Sequence, residues 1–130
     1  MARPYIGGTS AMIETVSDDK SLGGSDSGKV FLVDTDAKTI TLPATAKGLE
    51  YTIINIGADA AVAVNISPNA SDAIHGTTCA STNVVLGGVD NKDLINTKGT
   101  AITGDSCKLV GDGSAGWYMV SCTGIWASEA

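Results

Sequence analysis

The sequence predicts an all-β domain: an antiparallel β-sandwich, jelly-roll-like, or a β-barrel, with short turns and no long helix. Three observations carry that expectation. Short runs of Val, Ile, Thr and aromatic residues recur along the chain, separated by Gly, Asp, Asn and Ser. No stretch keeps the apolar period of an ordinary helix. Many short strands with frequent turns make the pattern of a sandwich or barrel. At 130 residues the chain has the size of one domain whose core needs neither metal nor disulfide. Aromatic residues make up only 5%. Small aliphatic side chains must therefore fill most of the core, and each buries little apolar area.

Residues 1–12 read as an N-terminal arm and residues 13–130 as the sandwich. In the arm, Arg3-Pro4-Tyr5-Ile6 precedes Gly7-Gly8. Pro4 has no N–H and turns Arg3 away from helix. Such a segment either frays or docks on a neighbour, so Arg3, Tyr5 and Ile6 are candidate partner contacts. Residues 12–16 form a first strand. The polar loop 17–27 holds Asp18, Asp19 and Asp26, without the oxygen spacing of an EF-hand.

Strands at 29–34 and 38–42 follow, joined by a short hairpin connection at 34–36. Val30, Phe31, Leu32 and Val33 are continuously apolar, so this strand is expected inside a sheet or under an intersubunit contact. Thr39 and Thr41 alternate with Ile40 and Leu42, as in a half-exposed strand, and Pro43 ends the ladder. In the strand at 49–56, Tyr51, Ile53 and Asn55 point one way and Thr52, Ile54 and Ile56 the other. The strand at 61–66 sets Val62, Val64 and Ile66 on one face. A brief segment at 73–75 and short strands at 83–86 and 94–97 lead to a closing hairpin, 106–110 with 117–122, around a Gly-rich turn at 111–116. No repeat of solenoid length is visible, so a solenoid is not expected.

The search for chemistry finds no constellation. The net charge is −6 and no run of Lys or Arg exists, which excludes a cationic nucleic-acid surface. No apolar run is long enough for a membrane helix, and residues 1–16 lack the apolar segment of a secretory signal, so synthesis in a cytoplasm is expected. His75 stands alone, outside any nucleophile motif, and reads as a surface-turn residue. His75 with Cys79 and Asp72 is a weak metal set. Gly111-Asp112-Gly113 is only a fragment of a phosphate loop, with no helix to follow. Cys79, Cys107 and Cys122 read as buried reduced thiols, with a cross-strand Cys107–Cys122 disulfide as the alternative. Trp126, close to the C-terminus, either folds back on its own domain or packs on a partner, and joins the candidate contacts. The expectation is a non-enzyme with no catalytic residues, cofactor or metal.

Three segments carry a resemblance. The first is Asp26-Ser-Gly-Lys-Val-Phe-Leu-Val-Asp34 with Thr39-Ile-Thr-Leu-Pro43 and Gly48-Leu-Glu-Tyr-Thr-Ile53. The second is Val64-Asn-Ile-Ser-Pro-Asn-Ala-Ser-Asp-Ala-Ile-His-Gly76. The third is Gly104-Asp-Ser-Cys-Lys-Leu-Val-Gly-Asp-Gly113 with Gly116-Trp-Tyr-Met119. In this order they resemble capsid decoration (cement) proteins of tailed phages and β-domains of phage tail-fibre proteins. The resemblance implies a structural virion protein on the outer capsid surface, made in the host cytoplasm. It would stabilise the shell by bridging the major capsid protein, as a homo-oligomer with a trimer favoured, and would need neither nucleic acid nor membrane. The alternative it implies is a tail-fibre or receptor-binding module for a host glycan or surface protein.

Overall fold

Two mixed β-sheets pack face to face. The computed structural model describes residues 12–77 and 85–129. Arg3, Tyr5, Ile6 and Cys79 lie outside the described residues. The strands are β1 (Ile13–Val16), β2 (Lys20–Ser21), β3 (Val30–Val33), β4 (Lys38–Thr41), β5 (Glu50–Asn55), β6 (Val64–Ser67), β7 (Ala73–Thr77), β8 (Val85–Gly87), β9 (Leu94–Asn96), β10 (Ser106–Gly111), β11 (Gly116–Thr123) and β12 (Trp126–Ser128). The larger sheet runs β1-β3-β5-β10-β11-β7-β8 and the smaller one β12-β9-β6-β4-β2. Short 3-10 turns at Gly24–Asp26 and Lys98–Thr100 are the helical pieces among the described residues.

The all-β sandwich is as expected, but its first half is not antiparallel. β1, β3 and β5 pair in parallel in the larger sheet. β2, β4 and β6 pair in parallel in the smaller one. The chain therefore winds from sheet to sheet, and each coil stacks on the next. This is solenoid-like winding without a sequence repeat, and it corrects the reading that excluded a solenoid. What recurs is a stack of inward apolar residues at some ladder positions, such as Phe31 beside Ile53 and Ile40 beside Ile66.

The connection at 34–36 is accordingly a corner between sheets, not a hairpin. Ala37 takes a positive φ of 59° there. The Asp36 carboxylate accepts the Ala63 N–H at 2.8 Å and the Lys98 ammonium at 2.7 Å. The corner forms because Val33 and Ile40 both bury completely, each on the inner face of its own sheet. A hairpin would have set the two strands side by side in one sheet.

The second half supplies the antiparallel part. β10 and β11 pair as the expected hairpin, with a bulge between Lys108 and Leu109. β10 adds to β5 antiparallel, and β9 joins β6 to β12 antiparallel. β7 returns to run parallel to β11. That last join is close: a Cβ on Gly116, at φ 142°, would run into the backbone of Ala73, so only glycine fits.

The core is lined by Phe31, Tyr51, Trp117, Trp126, Ile40 and Leu109, all fully buried. Tyr51 sits between Phe31 and Trp117, at centroid distances of 6.3 and 5.5 Å. These tilted pairs add about 0.5–1.5 kcal/mol each beyond area burial. The Tyr51 hydroxyl donates to the Gly23 carbonyl at 2.7 Å, and burial pushes its pKa up. β3 is internal, between β1 and β5, as its apolar run predicted.

A polar cluster crosses the core. Asn55 Nδ2 donates to Asn96 Oδ1 at 2.7 Å and to the Val62 carbonyl at 2.9 Å. Asn96 Nδ2 donates to Asp105 Oδ2 and to the Ile125 carbonyl, both at 3.0 Å. The Gly57 amide donates to Asn55 Oδ1 at 2.9 Å and the Ile102 amide to Asp105 Oδ2 at 3.0 Å. Asn55 belongs to the larger sheet and Asn96 to the smaller, so the cluster joins the two layers. Gly124, at φ 93°, makes room for it: a Cβ there would overlap the Asp105 carboxyl.

The cysteines divide: Cys107 is the buried reduced thiol expected, and Cys122 is not. Cys107 and Cys122 are cross-strand neighbours, yet Cys107 is a free buried thiol whose pKa burial pushes far up. Cys122 is disulfide-bonded, so it is neither reduced nor joined to Cys107.

Two outcomes are expected. Asn96→Ala leaves Asn55 Nδ2 and the Asp105 carboxylate short of buried partners. Urea unfolding should show a loss of at least about 2 kcal/mol; an unchanged midpoint would remove the cluster from the account of stability. The second outcome concerns pH. The Ser17 and Thr35 hydroxyls hold Asp34 below the usual carboxylate range. Lys98 and the Ala63 amide do so for Asp36, and the Gly116 and Ser114 amides for Asp112. Their folded-state pKa values are depressed, so their contribution is fully present above the unfolded value of about 4 and is lost as pH falls through the lowered folded values. Stability should stay flat from neutral pH to about 5 and drop below about 4, and Asp36→Asn should shallow that drop.

Candidate partner-binding face

Strand alternation gives each sheet an outer face, and the two outer faces differ in chemistry. On the smaller sheet the outward positions of β2, β4 and β6 are Ser21, Thr39, Thr41, Asn65 and Ser67, a surface of hydroxyls and amides. On the larger sheet the outward row includes Val30, Leu32, Ile54 and Val110, all half-buried. Tyr118, Val120 and Ile13 stand further out, at 43%, 56% and 54% exposure.

The local sequence explains this. In β3, β5 and β10 the inward residues are Phe31, Val33, Tyr51, Ile53, Cys107 and Leu109. Their outward neighbours mix apolar Val30, Leu32, Ile54 and Val110 with polar Glu50, Thr52, Ser106 and Lys108, more apolar than the alternation of a sheet wetted on one face requires. The bulge in β11 leaves Val120 between Met119 and Ser121 without a partner on β10, which turns its side chain out. Charge on this face is balanced: Lys108 and Glu50 approach to 3.6 Å, an exposed pair of small energetic weight.

Tyr118 is held in place. Its ring stacks on His75 of β7 at a centroid distance of 4.8 Å and an interplanar angle of 21°, from directly paired positions on parallel strands. Gly88, at φ 61°, also lies against His75, where a Cβ would strike the imidazole. His75 is thus a strand residue under a tyrosine, not the surface-turn residue the sequence indicated.

Trp126 leaves the list of partner contacts. It is fully buried, in a two-strand pairing with β9, and its Nε1 donates to the Thr123 carbonyl at 3.0 Å. The fold-back alternative is the one realised. Arg3, Tyr5 and Ile6 fall outside the described residues, so the geometry neither gathers nor separates them.

The acidic residues of loop 17–27 are engaged in the fold. Asp18 approaches Lys38 at 3.5 Å, Asp19 accepts the Thr39 amide at 2.9 Å, and Asp26 accepts Lys29 at 2.9 Å and the Gly23 amide at 3.0 Å. Asp72 accepts the Thr45 amide at 2.8 Å, away from the stacked His75. Asp112 accepts the amides of Ser114 and Gly116 within its turn. Among the described residues no group of three His, Cys, Asp or Glu could hold a metal, and no ligand-sized cleft opens.

The residues that sequence reasoning missed are Tyr118, Val120 and Val110. A signal was present: Val30–Val33 and Ile53-Ile54 put apolar residues on both faces of their strands. No family model matches this chain, and no curated protein matches it.

Substituting the exposed face should not unfold the protein. Val120→Asp is expected to leave the urea midpoint within about 0.5 kcal/mol of wild type. A larger loss would make Val120 part of the core.

Proposed function

We propose that this protein is a structural virion component: a decoration knob that lies on the outer surface of a phage capsid and stabilises it. The observation that carries the reading is the difference between the two outer faces. A sandwich whose larger sheet carries apolar residues among paired charges on its outer face, while β2, β4 and β6 of the smaller sheet turn out hydroxyls and amides, is suited to lie with the first face against another protein and the second toward water. The sequence resemblance to cement proteins supplies the identity of that other protein, the major capsid protein.

The mechanism is mechanical. Each knob, as a homo-oligomer with a trimer favoured, spans neighbouring capsid subunits and buries apolar surface that is available only in the assembled shell. Binding to the assembled state and not to separated subunits stabilises the shell by linkage. Tyr118, already immobilised on His75, loses little conformational freedom on burial, which favours it as an anchor. No step requires a cofactor or a catalytic group.

The test is to add purified protein to capsids stripped of it and image the particles. Density on the outer shell, with delayed heat release of DNA, is the expected result. Density on the tail would overturn the reading in favour of a receptor-binding module. Val120→Asp should weaken shell binding at least about tenfold, which is about 1.4 kcal/mol. Thr41→Asp, on the opposite face, should bind as wild type. Equal binding by both variants would remove the apolar face from the contact.

A further inference from the structure

The first coil stands at one end of the stack. Among the described residues β1 pairs only with β3 and β2 only with β4, whereas β3 and β4 are held from both sides. In a stack each coil is held by its neighbours, so a terminal coil separates at lower cost than an inner one.

The ties that fasten this coil are weak ones. Between residues 12 and 22 the buried apolar side chains are Val16 and Leu22, whereas the second coil buries Phe31, Val33, Ile40 and Leu42. Beside Phe31 and Ile40 the first coil places Glu14 and Lys20, where the third places Ile53 and Ile66. Its other links to the body are polar. The Ser17 hydroxyl donates to Asp34 at 3.0 Å, and Asp19 accepts the Thr39 amide at 2.9 Å. Lys38 approaches Asp18 at 3.5 Å and Lys29 approaches Glu14 at 3.7 Å. Solvent-exposed pairs of this kind carry small energetic weight.

The coil is also built as one piece with a boundary. Glu14 and Lys20 meet across the mouth of the sandwich at 2.7 Å, which ties β1 to β2. Beyond Leu22 the chain is fixed to β5 again. The Gly23 carbonyl accepts the Tyr51 hydroxyl at 2.7 Å, the Ser27 hydroxyl accepts the Glu50 amide at 3.1 Å, and the Gly28 amide donates to the Glu50 carbonyl at 2.8 Å. Gly23 and Gly24 lie at the boundary, where a Cβ would meet nothing within 4 Å, so the chain can turn there without a clash.

We infer that residues 12–22 form a strap that opens as one unit about Gly23-Gly24. Opening bares the edges of β3 and β4 that the strap covers, while the rest of the sandwich stays folded. The inference is independent of the capsid reading.

Native-state hydrogen exchange on the unmodified protein tests it. Three amides depend on the strap: Val30 and Asp34 donate to the Met12 and Val16 carbonyls, and Leu22 donates to Thr41. The Asn55 and Ile56 amides, bonded to the Asp105 and Val33 carbonyls, report on the body. Corrected for intrinsic rates, the three strap amides should exchange at least about a hundredfold faster than the two body amides. They should share one level of protection and respond little to low urea. Exchange of all five at one level, rising together with urea, would mean that the coil leaves only on global unfolding and would overturn the inference. Three strap amides at three unrelated levels would overturn the single unit. Leu109→Ala, in β10, should speed the body amides at least about tenfold and leave the strap amides unchanged. Ile53→Val should give the same separation, at about threefold, if the alanine variant fails to fold. Strap amides that speed up together with the body in either variant would sink the proposal.

Discussion

The hydrogen bond between Asn55 and Asn96 is the constraint around which the sandwich closes. It runs between the two sheets at 2.7 Å, inside a core where every other partner of these side chains is also protein. A buried amide costs free energy unless its donors and acceptors are met, so the pair works only if several distant segments arrive together. Val62, Gly57, Asp105 and Ile125 each supply a partner or a carbonyl. Apolar packing tolerates small shifts of one sheet over the other; this cluster does not, because a shift leaves polar atoms unpaired in a low-dielectric interior.

The cluster also marks where the two halves of the chain meet. The first half winds in parallel coils from sheet to sheet, and the second half adds antiparallel strands to the last coil in both sheets. Asn55 ends β5, the last strand of the parallel β1-β3-β5 ladder, while Asn96 and Asp105 come from the second half of the chain. The coils alone would expose the strand edges of their last turn. β10 and β9 cover those edges, so among the described residues the edge strands are β1 and β8 in the larger sheet and β2 and β12 in the smaller one.

The proposed role rests on how apolar residues are shared between inside and outside. A core with few aromatics is filled by Val, Ile and Leu from both sheets, grouped about Tyr51 and Trp117. The larger sheet carries more apolar residues than its inner face can use, and the surplus forms an outer patch around Tyr118 and Val120. A patch of that kind on an acidic chain, with its local charges paired, suits contact with another protein better than contact with nucleic acid.

The sequence by itself determined the class of the fold, most strand positions and the inward face of strands such as β5, while β2 and β12 lay in segments read as a loop and a tail. What was legible depends on local alternation and turn chemistry, which are written within a few residues. Tyr51, Ile53 and Asn55 were correctly placed on one side, and the internal position of β3 was legible in Val30–Val33. Only the tertiary structure decided which strand pairs with which. A short polar link such as 34–37 serves a hairpin or a corner between sheets equally well, and the choice is made by where Val33 and Ile40 bury. The same holds for His75 and Trp126: their surroundings come from β11 and β9, which are far away in the chain. The outer face needed the structure too, because an apolar strand residue reads the same whether it meets the core or waits for a partner.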